Sequence, residues 1–187
     1  MRLIFALPIL LLGCNAEKET DSAITEEPFA PTEGTWKFEG LSYGEDGCNF
    51  ASNPLFSVET LEARDYTLTN VSETEVRFVD DNEYTFECTR AGQQVTCPNT
   101  LVIDITTYND ADGNAVVDEQ GNPVDPDATN TINTEFVSTY STSAVGTLSA
   151  SLTGSCEGAD CEVVYQSFGV TDNPCYSSLS GQTLLQN

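Results

Sequence analysis

Histidine is absent from the 187 residues, and only six lysines and arginines face thirty aspartates and glutamates, a formal net charge of −24. Without an imidazole there is no Ser-His-Asp triad and no histidine general base. The shortage of positive charge excludes a nucleic-acid partner, whose phosphates need a basic face. It equally opposes adsorption to anionic lipid, so any membrane partner has to be reached by other means. The chain also lacks G-x-S-x-G, P-loop and dinucleotide-binding patterns. Carboxylate pairs suited to glycoside chemistry carry no information here, because thirty carboxylates make many accidental pairs. The expectation is therefore a protein that binds or assembles, with a carboxylate-dependent hydrolase as the last alternative.

No apolar run approaches the ~20 residues that span a bilayer as a helix. The run from Leu3 to Leu12, behind Met1-Arg2 and interrupted by Pro8, has the form of an export leader. It ends in Leu11-Leu12-Gly13-Cys14. This quartet resembles the lipobox of bacterial lipoproteins: leucine three before the cysteine, a small residue just before it, and the cysteine as first mature residue. The resemblance covers residues 1–14 and implies cleavage after Gly13, a lipid on the Cys14 thiol and an acylated amine. Two or three acyl chains anchor a protein stably where one is marginal. Asn15 follows, not the aspartate that marks inner-membrane retention in that family. The expected address in a two-membrane cell is thus the outer membrane, its inner or outer face left open.

Seven cysteines are an odd number. Assigning Cys14 to lipid leaves six: Cys48, Cys88, Cys97, Cys156, Cys161 and Cys175. An even set in an exported chain reads as disulfides. No C-x-x-C pair and no histidine is present to suggest zinc. Fifteen pairings are open to six cysteines. Proximity favours Cys88 with Cys97 and Cys156 with Cys161 across hairpins, leaving Cys48 for Cys175.

Residues 14–33 are acidic, polar and carry two prolines, which reads as a lipidated N-terminus and flexible tether. From residue 34 to 187 the texture is that of one β-domain. Trp36 and Phe38 alternate with Lys37 and Glu39; Val76 and Phe78 with Glu75 and Arg77; Tyr84, Phe86 and Cys88 with Glu83, Thr85 and Glu87. Leu101, Ile103 and Ile105, the Thr/Ser-rich stretch 131–142, and Leu148, Ala150 and Leu152 continue the period of two. The segment 161–169 reads as one more strand, and Val58 to Ala63 is the best candidate for a helix. Turn residues fall at Ser72-Glu73, Asp81-Asn82, Ala91-Gly92 and Gly158-Ala159. The expected class is all-β: a single antiparallel barrel or sandwich of about eight to ten short strands, barrel preferred, stapled by disulfides.

Gly34-Thr35-Trp36 at the start of the first strand is similar to the G-x-W signature of lipocalins, eight-stranded barrels for small apolar ligands. The match covers three residues. It implies a tryptophan plugging the closed end and a ligand cavity at the other. Long acidic loops and the lack of a second lipocalin motif depart from that pattern. One such loop, Asn109 to Asn130, holds a small internal repeat around two Gly-Asn steps. No cofactor is expected, calcium apart. As a hard cation wanting oxygen ligands, calcium would find Asp110, Asp112, Asn114, Asp118 and Glu119 within ten residues. The alternative is a solvated pair of turns forming a small hairpin, since the EF-hand register fails with Tyr108 at the first ligand position. Three readings stand: a lipid-anchored interaction module with a protein or small-molecule partner, a lipocalin-like carrier, or a calcium-dependent module.

Overall fold

A computed structural model describes residues 29–107 and 114–186. Its strands are β1 (Gly34–Asp46), β2 (Tyr66–Asn70), β3 (Glu75–Asp80), β4 (Thr85–Ala91), β5 (Gln94–Asp104), β6 (Thr129–Thr142), β7 (Val145–Glu157) and β8 (Cys175–Leu185). Each pairs antiparallel with the next, and β8 returns to β1, closing an eight-stranded barrel. A barrel is the outcome that period-two strands reach when they must hide an apolar face and leave no edge. The inward positions are those the alternation marked: Trp36, Phe38, Val76, Phe78, Leu148 and Leu152 are all buried.

Closing the sheet bends β1. Its register against β8 slips between Glu39 and Ser42, where Gly40 takes φ 62° and Leu41 turns inward. Gly181 faces this bulge, and a Cβ there would sit 2.7 Å from Leu41 Cδ2. The bulge and the glycine are one device for turning the corner.

Among the described residues, two short α-helices lie at one end. α1 (Val58–Ala63) is where the sequence placed its best candidate; Ser57 caps it by accepting Thr60 N–H. α2 (Cys161–Ser167) replaces the strand expected over 161–169. Its buried residues Cys161, Val164 and Tyr165 lie at i, i+3 and i+4, a helical stripe, while Val163 is exposed. The disulfides are Cys48–Cys175, Cys88–Cys97 and Cys156–Cys161. The last fastens the end of β7 to the first residue of α2, and Gly158 between them comes against Asp127 O so closely that no Cβ would fit.

The opposite end is plugged. Trp36 and Tyr140 are fully buried and meet edge to face at 5.3 Å. Over them runs a strap, residues 29–33, which the sequence assigned to the tether. Pro31 is fully buried, Thr32 O accepts the Trp36 indole N–H at 2.9 Å, and Phe29 packs on the Tyr140 ring. Asn70 holds the strap through Pro31 O, and Glu33 Oε1 accepts the Asn70 backbone N–H. Burial pushes the Tyr140 phenol up to about 12, an effect that the Thr183 and Ser138 hydroxyls partly offset. Tyr165, its hydroxyl donating to Asn130 Oδ1, is likewise pushed up to about 12 by burial.

Folded-state values above the ordinary 10 mean that stability is complete below pH 10 and is lost as pH climbs through 12. Burial also raises the Tyr43 and Tyr66 phenols, which adds to the same loss. We expect the melting temperature to fall steeply between pH 10 and 12. Tyrosinate absorbance should rise in step with the loss of near-ultraviolet circular dichroism. Independent titration of all the phenols near pH 10 in a folded chain would contradict this.

Candidate ligand cavity

The interior is filled mostly by its own rings. Phe38 stacks on Tyr66 at 4.2 Å, and Phe136 stands between Phe38 and Phe86 at about 6 Å from each. The rings do not fill the interior completely. The gap here is a cavity of about 100 Å³, floored by Phe78, Ile132, Thr134 and Ser138 and walled by Phe86 and Leu101. Its lining is overwhelmingly apolar. The size is instructive: pockets for drug-sized ligands run to ~300–1,000 Å³, whereas a cavity of ~150 Å³ lined by Leu, Ile and Phe takes benzene.

The roof comes from the long β1–β2 connection. Asp46 organises its first turn, its carboxylate accepting Phe50 N–H, Ala51 N–H and the Ser177 hydroxyl. Tyr43 O–H donates to Phe56 O at 2.9 Å, and Glu62 Oε1 accepts Leu41 N–H at 2.8 Å. These bonds lay Leu55, Phe56 and Leu61 across the barrel mouth.

One charged pair stands in this wall. Arg64 Nη1 lies 3.1 Å from Asp80 Oδ2, and Arg64 Nη2 donates to Leu55 O. The Asp80 side chain is fully buried; its other oxygen accepts Asn82 N–H and Tyr84 N–H. Asp80 thus joins the roof to the β3–β4 turn through one carboxylate. The guanidinium is neutralised by its partner, so among the described residues the cavity offers no free positive charge to an anion.

No protein-family model matches the chain, nor does any curated protein or solved structure. The fold and the cavity therefore have to speak for themselves.

The residues singled out for calcium are not assembled into a site by the described part of the loop. Asp110 and Asp112 lie outside the described residues, as does Cys14. Asn114 precedes a small hairpin in which Val117 bridges Pro123. Asp118 is spent on its turn: Oδ1 accepts Gln120 N–H and Asn122 N–H, both at 2.9 Å, and its own carbonyl accepts Gly121 N–H. The Asn122 bonds hold its carboxyl below the usual carboxylate range. Glu119 is exposed beside it. Among the described residues no group of three or more Asp, Glu, Cys or His side chains is placed to hold a metal.

Sequence reasoning marked several of the lining residues as inward-facing and did not foresee that they surround a cavity. Arg64 and Asp80 are sixteen apart. Tyr84 lies just before β4 while Thr134 and Phe136 both sit on β6, and only the register of the closed barrel brings them to one place. Phe86 and Leu101 were legible as inward-facing, but nothing in the period of two says that a void lies between them.

Proposed function

We propose that this chain is an exported, lipid-anchored binding protein whose barrel takes a small uncharged apolar ligand, or the apolar end of a longer one. The observation that carries this is a barrel plugged at one end by Trp36, Tyr140 and the 29–33 strap, with an apolar cavity behind a roof at the other. The arrangement is also what the Gly34-Thr35-Trp36 resemblance to lipocalins implies. Anchoring rests on Leu11-Leu12-Gly13-Cys14. The six other cysteines pair among themselves, which leaves Cys14 over for a lipid. With Asn15 behind it, the outer membrane is the address in a two-membrane cell.

Charge selects among ligands. A protein carrying −24 repels anions at long range, and the cavity's one cation is already paired with Asp80. Neutral ligands are preferred over carboxylates of the same shape.

The test uses the full chain carrying Cys14→Ser and two probes, 4-fluorobenzyl alcohol and 4-fluorobenzoate, followed by fluorine NMR. Burying ~150–200 Å² of apolar probe surface at ~25 cal/mol per Å² corresponds to a Kd on the order of 1 mM for the alcohol. The benzoate should bind at least tenfold more weakly. Ser138→Leu, which fills the cavity from β6, should weaken the alcohol by a similar factor with the melting temperature little changed. An alcohol that shows no saturable binding, or that binds the filled variant equally well, would sink the reading.

A further inference from the structure

The barrel wall is not zipped along its whole height. β4 and β5 pair only at Ala91–Gln94, Arg90–Val95 and Thr89–Thr96, whereas β5 pairs with β6 without a break from Gln94 to Asp104. The pairing stops at the Cys88–Cys97 disulfide. Beyond it, Thr85 to Glu87 belongs to β3 alone and Pro98 to Asp104 to β6 alone.

The backbone directions make this more than a matter of register. A two-residue turn at Gly92-Gln93 closes on Ala91 and Gln94 as a hydrogen-bonded pair. The even-numbered amides of β5 therefore point toward β4 and the odd-numbered ones toward β6. The neighbours agree, since Ile105 N–H donates to Ala128 O beside β6. On the β4 side, position 98 is a proline with no amide to offer, and Thr100 N–H is taken by the Asn99 side chain at 2.9 Å. The register gives Val102 and Asp104 no partner on β4. This is how an edge strand is finished, with a proline and a local side-chain cap, inside what is otherwise a closed wall.

The split faces the cavity. Tyr84 and Phe86 line it from one side, Asn99 and Leu101 from the other. Tyr84 is 56% exposed and Leu55, at the adjoining edge of the roof, 53%. The barrel axis, by contrast, is covered: α1 is held by the Glu62 bond, α2 by Cys156–Cys161, and the loop before α1 by the Tyr43 bond and Cys48–Cys175.

We propose that the ligand enters sideways, through the seam between β4 and β5, and that Cys88–Cys97 marks the inner end of that doorway. The inference rests on the cavity being a ligand site. The occupant is the same small neutral apolar molecule, passing between Tyr84 and Leu101. The disulfide stops the opening from running on toward the plugged end, so the wall can part without the barrel opening.

Two measurements decide it. In the full chain, site-resolved amide exchange should find Val102 and Asp104 at least a hundredfold faster than Leu101 and Ile103. Equal protection of all four would mean a zipped wall and overturns the proposal, whatever any variant does. The second measurement adds Thr85→Cys/Thr100→Cys to the Cys14→Ser chain, outward-facing positions that the register would bring opposite each other, with Thr85→Ser/Thr100→Ser as the folding control. Once the new disulfide forms, 4-fluorobenzyl alcohol should exchange at least tenfold more slowly while its Kd stays within about twofold, the signature of a closed door on an intact site. Unchanged exchange rates in the stapled form overturn the seam as the route. Absence of binding to the parent chain overturns the ligand-site reading itself, and the amide pattern still reports separately on the open wall.

Discussion

Replacing Cys48 and Cys175 together by serine is expected to cost about 5 kcal/mol of stability in the chain-entropy account of cross-links, the largest loss from any of the three bonds. The bond closes a loop of sequence separation 127, against 9 for Cys88–Cys97 and 5 for Cys156–Cys161. Those short loops restrict the unfolded chain by about 2–3 kcal/mol each on the same scale. Its position adds to the argument. It joins the connection after β1 to the first residue of β8, the two strands whose pairing closes the barrel. Without it, closure has to bring together segments more than a hundred residues apart with nothing holding them in the unfolded state. Gly154 lies against the bond, with no room for a Cβ beside Cys175 Sγ, and any hydroxyl left unpaired there adds to the loss. For a domain of this size the expected fall in melting temperature is about 10–20 °C. Urea titration of the double variant against Cys156→Ser/Cys161→Ser is the check. A loss no greater than that of the short loop would show that the unfolded chain keeps its ends together by other means.

The barrel was legible because most of its strands state their inward face plainly: Trp36 and Phe38, Val76 and Phe78, Leu148, Ala150 and Leu152. β8 does not. Its inward positions are Cys175, Ser177, Leu179, Gly181 and Thr183, of which Leu179 alone is a large apolar residue; Gly181 faces Leu41 at the bulge, and Thr183 shares the space over Gly146 with the Tyr140 ring. Volume decided those residues, and hydropathy alternation is blind to volume. α2 was misread for a different reason. Seven residues offer one i, i+3, i+4 triplet, and Val163 with Tyr165 fits a period of two equally well until packing selects Val164. The 29–33 strap looked like tether because its contacts are one buried proline, one ring and several backbone carbonyls, none of which shows in composition. The site was hardest of all. A void is a shortfall of side-chain volume among residues from seven elements, β1 to β6 and α1, and no local pattern records a shortfall.

Asp80 is where the local reading and the structure differ most, and removing its charge is expected to be nearly as costly as losing the long-range disulfide. By sequence, Asp80-Asp81-Asn82-Glu83 reads as an acidic hairpin turn whose charge discourages edge pairing, yet the Asp80 carboxylate is fully buried against Arg64. Asp80→Ala would leave a guanidinium only 17% exposed without its partner, and the Asn82 and Tyr84 amides without their acceptor. Breaking a buried pair from one side costs ~3–5 kcal/mol, because the orphaned charge stays behind. Arg64→Met removes the other side and keeps the apolar stem against the roof. The double variant Arg64→Met/Asp80→Ala should be more stable than Asp80→Ala alone by at least about 1 kcal/mol, since no unpaired charge remains. The two amides stay unsatisfied in both, so recovery is partial. Function should follow a different order. The pair ties the roof to the β3–β4 turn, so every variant that breaks it should exchange 4-fluorobenzyl alcohol faster than the parent, the stabilised double variant included. Chemical denaturation of the four chains gives the coupling energy, and fluorine line shapes give the exchange rates. A double variant no more stable than Asp80→Ala would mean that the lost turn acceptors, not the stranded cation, set the cost. Unchanged exchange in all of them would mean that the roof is held by Tyr43 and Glu62 alone.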